Sequence, residues 1–297
     1  MSAKFFAAEL LPPQTTLESA SAYSYARDFL DNRFVYVVIS PRAHGLSIGV
    51  NMNPDGLCNF DCVYCEVNRH CHRPDRELDL SVMAVELEKT LLLVSSGQLR
   101  QLSRYERLSD DLLQLRHVAL SGDGEPTLNP DFSRAVQTVV HVRALQLGPF
   151  FKLVLVTNGT GLDAPKVRDG LRYLTREDEV WVKLDAGTQA HMDRINRSQV
   201  SLDKVLKNTL NLGRQRPIII QSLFPLLDGE EPPAEEIESF IQRLNELKDG
   251  GAWISLVQIY SATRPMANAA CGHLSLKTLS RIGRRVRAET GLKTEVF

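Results

Sequence analysis

Three cysteines stand close together in Cys58-Asn59-Phe60-Asp61-Cys62-Val63-Tyr64-Cys65, with three and then two residues between them. This spacing lets three thiolates reach one metal centre from a single short loop. The count is informative. A structural zinc site closes on four ligands, whereas a cluster held by three thiolates leaves one iron open to an outside ligand. A zinc knuckle completed by His70, Cys71 or His72 is the alternative, and the spacing favours the cluster. His70-Cys71-His72 runs on into Arg73-Pro74-Asp75-Arg76 and reads as an exposed polar loop. Cys71 and Cys271 are candidate redox or substrate-site thiols.

The elements that must position this loop follow from hydrophobic periodicity. Phe34 to Ile39 and Ser47 to Val50 are strand-like runs, and the second leads into the cysteines. Leu80 and Ser81 read as a hydrophobic residue and an N-cap, opening a helix that stops near Gly97, and a second helical stretch covers Leu102 to Leu115. Strands and helices then alternate: strands 117–120, 152–156, 179–184, 218–223 and 254–260, with helices 131–147, 164–174, 202–214 and 234–248 between them. Ser275 opens a final helix. Six β/α-type strands argue for a parallel sheet with right-handed crossovers, curled into a full or partial barrel or left open and doubly wound. Function in such sheets gathers at the strand C-terminal ends.

Several polar residues fall at those ends. Alternation puts Trp181, Lys183 and Asp185 on one face of their strand, toward the barrel mouth. Lys183 and Asp185 can pair with each other or divide a ligand, Lys183 toward a carboxylate and Asp185 toward ribose hydroxyls. Gln221 and Gln258 interrupt apolar strands and should face a polar cavity, with core amides satisfied by the backbone as the alternative. Asn158-Gly159, taken alone, is a turn.

The cysteine loop with its aromatic Tyr64 resembles the signature of the radical S-adenosylmethionine (SAM) superfamily. The resemblance implies a partial (β/α)6-type α/β barrel, a [4Fe-4S] cluster on Cys58, Cys62 and Cys65, and SAM ligated at the open iron through its amino and carboxylate groups. It further implies one-electron cleavage of SAM to methionine and a 5'-deoxyadenosyl radical that abstracts hydrogen, with an electron donor such as flavodoxin or ferredoxin. Ser121-Gly122-Asp123-Gly124-Glu125-Pro126 is similar to the superfamily's glycine-glycine-glutamate motif. Gly122 and Gly124 would then allow close backbone approach, and Glu125 would accept from the SAM ammonium group. Tyr64 would lie near the adenine, Asn158 would contact SAM, and Lys183 is the catalytic candidate.

Ser121 to Thr127, Val182 to Gly187 and Val257 to Pro265 together look like the wyosine-base-forming branch, whose enzymes modify a guanosine of tRNA using pyruvate. The chain departs from that branch in having no cysteine before Cys58, where wyosine synthases carry cysteines for a second cluster. Its net charge of -1 supplies no global attraction to tRNA. The substrate is therefore left open, with a tRNA base as one candidate. Glycyl-radical activation of a partner protein and a non-catalytic metal-binding scaffold are the alternatives.

Composition sets the remaining bounds. A 43% hydrophobic content with 24% charged residues suits a globular chain with a large core. No apolar run is long enough to span a bilayer and the start lacks a signal-peptide pattern, so a cytoplasmic protein without membrane contact is expected. The expected division is an N-terminal extension over 1–40, a core domain over 41–265 and a C-terminal helical extension over 266–297. In that extension Lys277, Arg281, Arg284, Arg285 and Arg287 surround an apolar stripe and read as a solvated face, with RNA backbone contact as the alternative.

Overall fold

Runs of valine, isoleucine and leucine that are buried on both faces form the centre of the molecule, the composition expected of a parallel sheet covered by helices. In the computed structural model, which describes residues 29–67, 77–262, 266 and 268–297, the chain order is β1 (Val35–Ser40), β2 (Gly45–Asn51), α1 (Leu80–Ser95), α2 (Asp110–Leu113), β3 (Leu115–Ser121), α3 (Phe132–Ala144) and β4 (Lys152–Thr157). There follow α4 (Pro165–Leu171), β5 (Glu179–Lys183), α5 (Gln189–Ile195), α6 (Leu202–Gly213), β6 (Ile218–Leu223) and β7 (Pro225–Leu227). The chain ends with α7 (Ala234–Asp249), β8 (Ile254–Tyr260), β9 (Cys271–His273), α8 (Leu276–Thr290) and β10 (Thr294–Val296).

Eight strands join in the order β1-β2-β3-β4-β5-β6-β8-β10. The contacts from β2 to β10 are all parallel, and β1 pairs antiparallel with β2. The sheet curls into a partial barrel, which agrees with the expected α/β architecture. Alternation along β6 shows the two sides: Ile218 and Ile220 belong to the large core under the helices, while Ile219 joins Ala119, Val154 and Trp181 in a separate cluster inside the curl.

The six expected β/α strands are present, and three features differ from the sequence reading. Asp79, not Ser81, caps α1, because its Oδ1 already accepts from Ser81 N at 2.9 Å and Val82 N at 3.1 Å. The helix expected over Leu102 to Leu115 is absent: α2 has four residues and Leu115 already begins β3. Arg100 accounts for this, since its guanidinium donates to the carbonyls of Glu106 at 3.2 Å and Leu108 at 2.9 Å, satisfying outside any helix groups that a helix would use. The short elements α5, β7, β9 and β10 had no periodic signal. β10 nevertheless extends the main sheet, and α8 places Arg281 against Glu231 and Arg285 against Glu289.

His70, Cys71, His72 and the stretch to Arg76 lie outside the described residues, as do residues 1–28 and Thr263, Arg264 and Pro265. Among the described residues, no helix is long and apolar enough to cross a membrane.

Candidate active site

The cysteine loop leaves the C-terminal end of β2 and is held along its length by backbone bonds. Met52 N donates to Ser121 O and Glu125 N to Leu57 O, both at 2.9 Å, which fixes the loop to the turn after β3. At its far side Asp61 N donates to Asn196 O and Val63 N to Ile195 O, each at 2.9 Å, seating it on the end of α5. The glycines after β3 serve this docking. Gly122 has a φ of 130°, and a Cβ there would lie 2.2 Å from Asn51 Oδ1; a Cβ on Gly124 would lie 2.0 Å from Leu57 O. Their close approach is to the segment that carries the cysteines.

Two buried polar clusters flank the loop. In the first, Glu125 Oε1 accepts from Thr127 N at 3.1 Å, Thr127 Oγ1 at 2.6 Å and Thr157 Oγ1 at 2.5 Å, while Oε2 accepts from Asn158 N at 2.7 Å. Burial raises the Glu125 pKa against the pull of these donors. Asn158 completes the cluster: its amide donates to Asn59 Oδ1 at 2.8 Å and lies 3.9 Å from Cys58 Sγ, and its Oδ1 accepts from Thr160 N and Oγ1.

In the second cluster, the Tyr64 hydroxyl donates to Asp185 Oδ2. Asn196 Nδ2 lies 2.8 Å from the Tyr64 hydroxyl, 2.9 Å from Asp185 Oδ2 and 3.4 Å from Cys62 Sγ. Asp185 Oδ1 accepts from Leu223 N at 2.8 Å, and Lys183 Nζ stands 3.5 Å from Oδ2 and 4.9 Å from the Tyr64 ring centre. Burial disfavours the Lys183 ammonium, but Asp185, Tyr260 and Cys62 together outweigh it and the pKa is raised. Burial also raises the Tyr64 pKa, so the phenol keeps its proton.

Cys58, Cys62 and Cys65 are half-buried. Burial pushes the Cys62 thiol up to about 12. Among the described residues, no three His, Cys, Asp or Glu side chains gather closely enough to hold a single metal ion. Cysteine sulfur is the donor type that holds iron-sulfur clusters, so three cysteines spaced along one loop form a donor set that fits such a cluster.

Inside the curl, Lys183, Gln221 and Gln258 are register partners on β5, β6 and β8, forming one polar rung next to the apolar Trp181 and Ile219. Gln221 Nε2 donates to Gln258 Oε1 at 2.8 Å, so these amides satisfy each other in part. The structure thus brings Tyr64, Lys183 and Asp185 together beside Cys62, and Glu125 and Asn158 together beside Cys58. Gln221 and Gln258 stand one and two strands away from Lys183. Sequence reasoning missed Asn196, which follows the unrecognised α5, and Asn59, whose position between two cysteines was its only signal.

Deeper in the curl, His117 packs edge-on against Trp181 at 5.2 Å. Burial lowers its pKa from 6.5 to about 4. The folded chain therefore binds fewer protons than the unfolded chain between those values, and stability falls as pH is lowered through that window. The loss expected from this group alone is about 3 kcal/mol. Denaturant titrations from pH 6.5 down to 4 should show a shallower fall for His117→Phe than for the native chain; parallel profiles would refute the assignment.

Comparison with known proteins adds an independent observation. The family model described as "Radical SAM superfamily" matches residues 52–244. A UPF0026 protein of Synechocystis sp. is 26% identical over 58% of this chain and 56% of its own length. A UPF0026 protein of Helicobacter pylori is 24% identical over 71% of this chain and 63% of its own length. The chain thus spans less than two thirds of the length of these curated relatives. Among solved structures, TYW1 with a lysine-pyruvate adduct bound superposes with a TM-score of 0.56 at 13% identity, covering 88% of this chain and 85% of that one. SuiB of Streptococcus suis bound to S-adenosylmethionine also gives 0.56, at 14% identity over 86% of this chain and 51% of that one. A spore photoproduct lyase gives 0.54 at 10% identity, covering 88% and 78%. These likenesses establish a shared fold.

Proposed function

The chain belongs to the radical SAM superfamily of enzymes, and from that premise we propose that it cleaves SAM reductively and abstracts hydrogen from a second substrate. The observation that carries this reading is the cysteine loop itself, with three half-buried cysteine side chains between two buried polar clusters at the C-terminal ends of adjacent strands. Cys58, Cys62 and Cys65 would hold the [4Fe-4S] cluster. When bound, that cluster supplies the electron that splits SAM into methionine and a 5'-deoxyadenosyl radical.

The protein's own groups bind and orient. Tyr64, Asp185 and Asn196 form a closed network that fixes the loop around Cys62. Glu125 and Asn158 fix the other end, their polar atoms largely occupied by neighbouring groups. This favours a supporting role for them, with SAM contact made by atoms their network aligns. Lys183, paired with Asp185, offers a fixed positive charge inside the curl, in register with Gln221. An electron donor such as flavodoxin or ferredoxin completes the scheme, and a tRNA base stays one candidate substrate.

Anaerobic reconstitution with iron and sulfide, followed by dithionite and SAM, is expected to give a broad visible absorption and then 5'-deoxyadenosine. A verified cluster-loaded sample that yields none would overturn the proposal. Comparing tRNA nucleosides from cells with and without the gene addresses the substrate, and unchanged nucleosides would remove the tRNA candidate.

A further inference from the structure

Arg42 lies in the short 3-10 turn Pro41–Ala43 between β1 and β2, at the opposite end of the strand order from β8 and β10. Its surroundings nevertheless come from those last strands. Gln258 Nε2 donates to Arg42 O at 3.5 Å, and the Arg42 guanidinium lies 4.1 Å from the centre of the Tyr260 ring. The neighbouring His44 stands 3.5 Å from Glu295 Oε2 and 5.7 Å from the Phe297 ring centre. The two ends of the curled sheet therefore meet at this turn, and Arg42 is where the seam adjoins the polar rung of Lys183, Gln221 and Gln258.

The guanidinium is incompletely satisfied. Arg42 Nε is buried without a hydrogen-bond partner, and Arg42 makes no ion pair among the described residues. Arg143 shows the contrast, since its partly buried guanidinium donates to both carboxylate oxygens of Asp178. Stacking on Tyr260 covers the face of the Arg42 group but leaves its in-plane N–H donors, which are arranged to grip a carboxylate through two parallel bonds. The other cation at the rung, Lys183, already has Asp185. Among the described residues, Arg42 is thus the cation there without an anionic partner, and a buried donor without a partner costs stability unless a ligand supplies one.

We propose that Arg42 binds a carboxylate group of the second substrate, with the Gln221 and Gln258 amides beside it. This deepens the reading of the chain as a SAM-cleaving enzyme by assigning its other substrate to the small or extended organic carboxylates. SAM carries a carboxylate of its own, so the test must separate the two sources.

Full-length, cluster-loaded protein is treated with phenylglyoxal, and modification of Arg42 is followed by peptide mass spectrometry with acetate, succinate, inorganic phosphate or SAM present. Acetate or succinate is expected to slow modification saturably, while SAM leaves it unchanged. Arg42→Gln should weaken binding of the protecting carboxylate by about tenfold or more, the loss of one charge-assisted bidentate contact. Should that variant fail to fold, Gln258→Glu provides a second reading: an internal carboxylate beside Arg42 should slow modification without any probe and abolish further protection. Protection by SAM, stronger protection by phosphate than by carboxylates, or no protection at all would each overturn the proposal. Because protection is read without turnover, it can succeed where SAM cleavage fails, and SAM cleavage can succeed where protection fails.

Discussion

Replacing Cys58, Cys62 or Cys65 by alanine, one at a time, is expected to remove the visible absorption of the reconstituted protein and to lower 5'-deoxyadenosine formation by more than about 100-fold. Loss of a group that merely supports a ligand typically costs 10–100-fold, and loss of a ligand exceeds that. The fold should survive. The three thiols are half-buried on a loop outside the helices and strands, so truncating one removes little core packing, and circular dichroism should match the native chain. Cys271 provides the control, since it is buried in β9 among Val63, Leu223 and Tyr260. Cys271→Ala should keep the absorption. A cysteine-loop variant that retains full absorption and cleavage would contradict the assignment of its thiol to the cluster.

Glu125→Ala is expected to act first on stability. Its carboxylate accepts bonds from Thr127, Thr157 and the backbone of Asn158, and the residue is only 3% exposed. Truncation leaves the Asn158 N–H and two hydroxyls buried without their acceptor, a loss on the order of 3 kcal/mol or more. It also loosens Asn158, whose amide lies against Cys58 and Asn59. A marked drop in melting temperature of the metal-free protein is therefore the expected result. If Glu125 instead served SAM alone, the variant would melt like the native chain and show only weakened SAM binding, so differential scanning calorimetry with a SAM titration separates the two roles.

The reach of sequence reasoning can be seen at these same residues. The spacing of Cys58, Cys62 and Cys65 is local, so it was readable directly. The strands that carry Glu125, Asn158, Lys183 and Asp185 to one end of the sheet were readable as well, because burial on both faces of parallel strands imposes long apolar runs between helical stretches. The sequence also singled out Lys183 and Asp185 as one face of one strand. Their pairing at 3.5 Å agrees with the ion-pair alternative it left open.

Other features depend on contacts that no local pattern encodes. Asn196 joins Tyr64 across 132 positions of sequence, and Gln258 meets Arg42 across 216. Glycines 122 and 124 looked like room for a ligand, yet the space they leave is filled by Asn51 and Leu57. Residue types and spacings determined which groups could do chemistry and that a parallel α/β sheet would present them. The tertiary curl decided which atoms those groups would spend on one another and which, like Arg42 Nε, stayed unspent. Hydrogen-bond capacity is a property of each residue, whereas its satisfaction belongs to the packed neighbourhood, and that neighbourhood exists only once the two ends of the sheet have met.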